Sequence, residues 1–157
     1  MAKRARKKAD AGSDRKKKAK SVTQDSVLDA ALRRAAANGW RAVSLDDIAV
    51  EAACDVAEAE AHFATKRAVV RGLLARVDAR VTASLDADPV DGSSVRDRLF
   101  DVLMRRFDAL AHSEDRDPKT ARAGMVSVIR AEAGDPKAAL CLLPRLMRVM
   151  AKALDTA

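Results

Sequence analysis

The apolar positions of this chain recur at spacings of three and four residues, a pattern typical of amphipathic α-helices. The first such run is predicted to end at Asn38-Gly39, since both residue types tolerate the left-handed conformation that ends a helix. A second run opens at Ser44, with Asp46 and Asp47 where the helix dipole favours carboxylates. No sustained alternation of apolar and polar residues predicts a strand. The predicted fold is all-α, and the inward residues of the first helix are Val27, Leu28, Ala31, Leu32 and Ala35.

Local capping signals predict where the helices of the first half begin and end. Residues 21–24 fit a capping box, so the first helix is predicted to start near Ser21. Asp55 and Glu58 fit a capped third helix that ends at His62-Phe63, and a fourth helix follows Thr65. The turn-forming residues 86–94 predict a linker. Between the first two helices, Trp40 and Val43 are expected to fold back onto the core.

The second half is predicted to form a short helical body over residues 95–157. One helix runs from Val95 to about Leu110, and Pro118 and Pro136 each follow an aspartate at a predicted helix start. Pro144 is expected to kink the last helix or to move its start. A single stripe of the first of these helices is predicted to hold Val95, Leu99, Val102, Leu103, Phe107 and Leu110.

The positive charge of the chain is concentrated in residues 1–20. The net charge is +7, but this tail has ten basic residues against Asp10 and Asp14, whereas the remainder has 20 basic and 21 acidic residues. A segment without apolar residues to bury is expected to be disordered. It either neutralises nucleic-acid phosphates without recognising sequence or serves as a solubilising extension. The predicted phosphate contacts are Lys3, Arg4, Arg6, Lys7, Lys8, Arg15, Lys16, Lys17, Lys18 and Lys20.

Composition and residue spacing argue against several classes of function. Two cysteines make no disulfide framework, and no apolar run is long enough to span a membrane, so a cytoplasmic protein is expected. Cys54 and His62 lack the second pair of ligands that a metal site needs. Neither a catalytic residue set nor a glycine-rich phosphate loop is apparent, and His112 has no evident partner. We therefore expect a non-enzyme without cofactor or metal.

From Val27 to Lys66 the chain resembles the head of TetR-family transcriptional regulators. The resemblance rests on a first helix ending at Gly39, on Ser44-Leu45-x-x-Ile48-Ala49 and on His62-Phe63-x-x-Lys66, spaced without a gap over about 40 residues. It implies a three-helix head with a helix-turn-helix over residues 21–85, including the connecting fourth helix. It further implies that the third helix enters the DNA major groove and that the body binds a small ligand and forms a homodimer.

The sequence also departs from that family. Ala53 stands where the family usually has glycine, and Ala59-Glu60 replaces the usual Leu-Tyr pair of the third helix. Trp40, residues 96–110 and the helix at Pro136 are similar to an alphaproteobacterial subgroup. That subgroup in turn resembles lipid-binding accessory proteins of ubiquinone biosynthesis, which reuse the TetR fold without DNA. The resemblance thus leaves two functions open: a DNA-binding regulator, and a TetR-fold protein that holds a lipid or another apolar ligand.

The third helix is an unusual candidate for recognising bases. Side chains that donate hydrogen bonds to base edges are mostly basic or amide residues, and between Asp55 and Phe63 only His62 can donate. Residues 44–66 contain six acidic residues and one basic residue, Lys66, which is the strongest phosphate-contact candidate. The predicted DNA-binding residues are Arg41, Ser44, Val56, Ala57, Glu58, Glu60, Ala61, His62, Lys66 and Arg67.

The last predicted helix has an apolar surface broken by one narrow basic line, Arg145, Arg148 and Lys152. Three interpretations stay open for it: a core helix, a dimer interface, and a lipid or membrane-surface contact as the minor alternative. The predicted dimer or ligand face consists of Leu142, Leu143, Leu146, Met147 and Met150.

Overall fold

A computed structural model describes residues 22–89, 94–111 and 117–134, together with Met147 and Ala151. Within these ranges the backbone forms α-helices, one short 3-10 helix and no strand, so the predicted all-α fold is confirmed there. The helices are α1 (Gln24–Asn38), the 3-10 helix (Trp40–Ala42), α2 (Leu45–Ala52), α3 (Val56–His62), α4 (Lys66–Ala87), α5 (Val95–Ala111) and α6 (Pro118–Glu132).

The first helix begins later than predicted. The Thr23 hydroxyl accepts the Ser26 N–H at 3.2 Å, and the Ser26 hydroxyl accepts the Thr23 N–H at 3.1 Å. This reciprocal cap starts α1 at Gln24, so the predicted start near Ser21 is wrong. The predicted inward face of α1 is confirmed, because all five of its residues are buried.

The next three helices begin where their capping residues predicted. Ser44 caps α2 and Thr65 caps α4, and α3 begins after Asp55 and ends before Phe63. α4 extends through Ala87, so the linker predicted from residue 86 begins later, at Asp88. Residues 90–93 of that linker lie outside the described ranges.

A shared apolar core joins helices from both halves of the chain. Trp40 and Val43 are buried, as predicted, and together with the buried Phe63 they belong to one cluster with residues of α1, α4, α5 and α6. α6 runs alongside α1 in the same direction, since Gly124 lies against the Leu32 backbone and Glu132 reaches Trp40. A β-carbon at Gly124 would overlap the Leu32 carbonyl oxygen, so this close approach depends on glycine.

α5 packs on α4 through part of the predicted stripe, since Val102 is buried and Leu110 is partly buried against the core. Arg106 forms an ion pair with Asp78 at 2.6 Å, and Arg105 donates to the Ser84 carbonyl at 2.8 Å. These contacts turn Val102 and Ala109 inward. The predicted stripe is wrong at two positions: Val95 is 53% exposed and Phe107 is 62% exposed.

The predictions for the end of the chain fall largely outside the described residues. The helix start at Pro136, the kink at Pro144 and His112 all lie there. Met147 is described, and it is helical and exposed. No helix in the described ranges combines the length and the apolar character needed to cross a bilayer.

We predict that Gly124→Ala lowers the free energy of unfolding by about 2 kcal/mol, because the added methyl must push α6 away from the α1 backbone. Gly134→Ala is the matched control, since the nearest atom to its β-carbon would be an Arg41 side-chain nitrogen at 3.5 Å, an ordinary contact. Urea unfolding followed by circular dichroism measures both variants. Equal stabilities would contradict the tight packing of α6 on α1.

Candidate nucleic-acid interface

Two short helices, α2 and α3, are joined by a three-residue turn whose shape depends on Ala53. Its φ of 56° and ψ of 44° place it in the left-handed region, and it is the one non-glycine residue with positive φ in the described part of the chain. The following Cys54 N–H donates to the Ala49 carbonyl at 3.0 Å, which closes the end of α2. Ala53 therefore adopts the conformation for which this position usually holds glycine.

α3 is presented outward over nearly its whole surface. Its first turn is fixed by the Glu58 carboxylate, which accepts the Asp55 N–H at 3.2 Å. Within α3 only Ala59 is buried. All of the predicted contact residues of this helix are exposed: Val56, Ala57, Glu58, Glu60, Ala61 and His62. A partner would therefore meet methyl groups, two carboxylates and one imidazole.

His62 contacts Val22, the first residue of the chain that the structure describes. Its Nε2 lies 3.0 Å from the Val22 carbonyl oxygen. Because a carbonyl oxygen only accepts, Nε2 carries the hydrogen in this contact. The basic residues 1–20 thus join the fold next to the C-terminal end of α3.

Several acids that surround α3 have structural partners within the protein. The Ser44 hydroxyl and backbone N–H both donate to the Asp47 carboxylate, and these bonds lower the pKa of Asp47 below its ordinary value. Glu51 forms ion pairs with Arg33 at 2.8 Å and with Arg34 at 3.4 Å. The acidic character of the α2–α3 surface therefore comes from Asp46, Glu60 and the other exposed carboxylates of these helices.

Lys66 has an intramolecular role at the start of α4. Its Nζ donates to the Trp40 carbonyl at 2.5 Å and to the Arg41 carbonyl at 3.3 Å, and it lies 4.6 Å from the centroid of the Trp40 ring. Burial lowers the pKa of Lys66 from its ordinary value, while the nearby Glu132 and Asp47 carboxylates act in the opposite direction. Two of its three N–H groups are therefore engaged, and the predicted phosphate contact stays a prediction.

The remaining predicted contacts on this side of the head differ in their surroundings. Arg41 and Arg67 are exposed. The Ser44 hydroxyl donates to Asp47 at 2.7 Å and accepts the Asp47 N–H at 3.1 Å. As the cap of α2, this hydroxyl is therefore already used both as a donor and as an acceptor. Most of the predicted DNA-binding residues are therefore exposed, whereas Ser44 and Lys66 are engaged in contacts within the protein.

Trp40 is in contact with both α4 and α6. The indole Nε1 donates to the Glu132 carboxylate at 3.1 Å, and the Trp40 backbone N–H donates to the Ser127 hydroxyl at 2.9 Å. The same residue receives Lys66 from α4 through its carbonyl and its ring. α4 and α6 therefore converge on one buried aromatic residue.

A second surface, which the sequence analysis missed, is the apolar face of α5, formed by Phe100, Met104 and Phe107. These side chains are 64%, 42% and 62% exposed. An open groove of about 610 Å³ is lined by Val95, Leu99, Phe100 and Leu103 of α5, together with the charged residues Arg96 and Asp97. The spacing of four and three residues between these side chains indicates that they share one side of a helix. It does not show whether that side packs against a neighbouring helix or faces solvent.

The predicted dimer or ligand face lies mainly beyond the described residues. Leu142, Leu143, Leu146 and Met150 fall outside them, whereas Met147 is 61% exposed. In the described ranges no group of three His, Cys, Asp or Glu residues could hold a metal ion. Burial raises the pKa of the half-buried Cys54 thiol, and the Glu58 and Asp55 charges act in the same direction, which disfavours a reactive thiolate.

No family model, curated protein or solved structure matches the chain. The resemblance to TetR regulators therefore rests on the residue pattern from Val27 to Lys66. Three features of the chain bear on its function: the outward-facing α3, the tail that joins beside it, and the apolar face of α5.

We predict that Ala53→Gly raises the free energy of unfolding by about 1 kcal/mol, because glycine adopts the left-handed conformation without the steric cost that alanine carries. Ala52→Gly, one residue earlier and still inside α2, is the matched control and is expected to lower stability by about 1 kcal/mol. Urea denaturation of the two variants measures both effects. If both changes lowered the free energy of unfolding, this result would contradict the left-handed conformation of Ala53.

We predict that Lys66→Met lowers the free energy of unfolding by about 1–3 kcal/mol, because it removes a charged donor from the Trp40 and Arg41 carbonyls and takes the ammonium away from the Trp40 ring. The exposed Lys119→Met, with the same change of residue type, is expected to stay within about 0.5 kcal/mol of the parent. Unchanged stability of Lys66→Met, with a weaker and less salt-dependent affinity for DNA, would instead assign Lys66 to phosphate binding.

Proposed function

We propose that this chain is a TetR-type DNA-binding transcriptional regulator in which the head presents α3 to DNA and the basic tail supplies most of the affinity. The observation that carries the proposal is the outward-facing α3 beside the point where the tail joins, marked by the contact between His62 and Val22. Two capped helices across a short turn support the helix-turn-helix interpretation. The matching order of residues from Val27 to Lys66 supports the family.

The electrostatics of the head explain why such a protein needs its tail. Glu58 and Glu60 face outward from α3, and carboxylates repel the phosphate backbone. A net charge of +8 over residues 1–20 offsets this repulsion and attracts DNA of any sequence. Sequence preference is then left to α3, where a glutamate accepts from a cytosine amino group and the methyl groups of Val56 and Ala57 suit a thymine methyl. Affinity and specificity are thereby divided between the two segments.

We predict that replacing Lys3, Lys7, Lys8, Lys16, Lys17 and Lys18 by glutamine weakens binding to duplex DNA and flattens its salt dependence. Each phosphate contact that is lost reduces the slope of log K against log salt by about 0.9. Fluorescence anisotropy over a range of salt concentrations, on the full-length chain and this variant, measures the change. A slope that is the same in both proteins would exclude the tail from binding.

The role of α3 is tested separately, by selecting bound sequences from a random duplex pool. Glu60→Gln is expected to raise affinity for all sequences and to change the selected sequence. Asp88→Asn is the control, since this exposed carboxylate lies at the other end of the 22-residue α4, about 30 Å along the helix. If the parent protein selects no sequence, α3 does not recognise bases and the regulator proposal fails.

The second candidate function is a TetR-fold protein that binds a lipid or another apolar ligand and has lost sequence recognition. The open groove beside Leu99, Phe100 and Leu103 favours it, together with the lack of basic residues in α3. Native mass spectrometry of gently purified protein distinguishes the two functions. A co-purified apolar ligand, in a protein that selects no DNA sequence, would favour the binder, and a bare chain mass would count against it.

A further inference from the structure

The outer face of α3 is exposed along its whole length. Ala59 is buried, and every other residue of this helix is exposed. Opposite the buried side, Ala57 and Ala61 lie four residues apart along one line of the helix. Their side chains are single methyl groups, so the backbone of another chain segment can lie close to this line. The face therefore suits a slim occupant such as an extended peptide.

Glu58 and Glu60 border this line on its two sides. With about 100° of rotation per residue, each lies about 80° from the direction midway between Ala57 and Ala61, in opposite senses. Both glutamates are exposed. Glu58 accepts the Asp55 N–H through Oε2, and a carboxylate has further acceptor sites. The occupant of this face should therefore carry basic groups on both sides of its backbone.

The inner part of the basic tail, residues 15–20, has this pattern. Its sequence is Arg-Lys-Lys-Lys-Ala-Lys. In an extended chain successive side chains point to opposite sides. One side of this segment then carries the lysines at the even positions, and the other carries Arg15 and Lys17. The charges of the tail thus complement both borders of the α3 face.

The structure places the root of the tail at the end of α3. The Val22 carbonyl oxygen lies 3.0 Å from His62 Nε2, and Val22 packs against the core. α3 has 7 residues and is about 10 Å long, whereas six extended residues span about 20 Å. Residues 15–20 can therefore reach from His62 back to the start of α3. Covalent attachment gives them an effective concentration on the order of millimolar.

We propose that, in the absence of DNA, residues 15–20 lie along the outer face of α3 of the same chain, with their cations against Glu58 and Glu60. DNA then reaches α3 only by displacing them. The contact raises the apparent dissociation constant for DNA by the inverse of the fraction of chains in which α3 is free. As a regulation of DNA binding it rests on the proposed function. The contact itself is measured without DNA, so that either can fail while the other stands.

Two tail variants of the full-length chain locate the contact. The inner variant replaces the four lysines nearest the fold by glutamine: Lys16, Lys17, Lys18 and Lys20. The outer variant replaces four residues farther away by glutamine and is the matched control: Lys3, Arg4, Lys7 and Lys8. Both lose the same number of charges, and circular dichroism verifies that both keep their helices.

Amide chemical shifts measured by NMR are the readout. The inner variant is expected to shift the Ala57 and Ala61 amides at low salt by about fivefold more than the outer variant does, because screening weakens the effect of distant charges. At 1 M salt, where the Debye length is about 3 Å, the difference from the parent should disappear. Equal effects of the two variants, or no effect of either, would overturn the proposal.

A charge cycle tests whether the two glutamates are the partners. Glu58→Gln with Glu60→Gln removes both charges, and a glutamine at position 58 can still complete the capping box. In this background the inner lysine changes should no longer shift the α3 amides. In the control background, Asp97→Asn with Asp108→Asn on α5, they should shift them as in the parent. Effects that add in both backgrounds would contradict a direct contact.

Carbodiimide crosslinking of an equal mixture of unlabelled and ¹⁵N-labelled chains identifies whose tail is bound. Bonds from the lysines of residues 15–20 to Glu58 or Glu60 are expected to exceed bonds to the exposed Asp97 and Asp108 by about fivefold or more, and to join peptides of one label. Bonds that join the two labels as often as one, or that show no preference for α3, would overturn the proposal. Saturating duplex DNA should remove these bonds, and their persistence would contradict the competition.

Discussion

The buried indole of Trp40 holds three parts of the fold together. Its ring contacts the Lys66 ammonium, its Nε1 donates to Glu132, and its backbone N–H donates to Ser127. A large aromatic side chain contributes apolar area, but its N–H must find an acceptor when it is buried. Glu132 supplies that acceptor from α6, while Lys66 of α4 and the Val43 N–H both donate to the Trp40 carbonyl. α4 and α6 are therefore both held by hydrogen bonds to this one residue.

Local signals predicted the helix starts well, because a cap involves residues only three apart. Ser44 and Asp55 were predicted correctly in this way as the residues that precede α2 and α3. The one error is the start of α1, which was predicted near Ser21 although Thr23 is the capping residue. The exposed side of α5 was beyond such reasoning. Its orientation is set by Arg106 and its ion pair with Asp78 on α4, a contact across 28 residues that no periodicity reveals.

The candidate site was predicted as a set of residues but not as a set of interactions. The sequence marked Lys66 as the strongest phosphate-contact candidate, and the structure shows its ammonium in contact with two carbonyl groups and a ring. Similarly, Glu51 reads as one more acid beside α3 but is neutralised by two arginines of α1. Charge counting along the chain overstated both signs, because it cannot see which charges are already paired.

The left-handed Ala53 also bears on how evenly the head is stabilised. The conformation costs an alanine about 1 kcal/mol, and the helix that follows contributes one buried side chain, Ala59, to the core. Local opening requires little energy where few apolar contacts are lost. Of the head helices, α3 is therefore expected to open at the lowest free-energy cost, and α1, which packs against α6, at a higher one. Any ligand of α3 would thus bind its most adaptable element and stiffen it on binding.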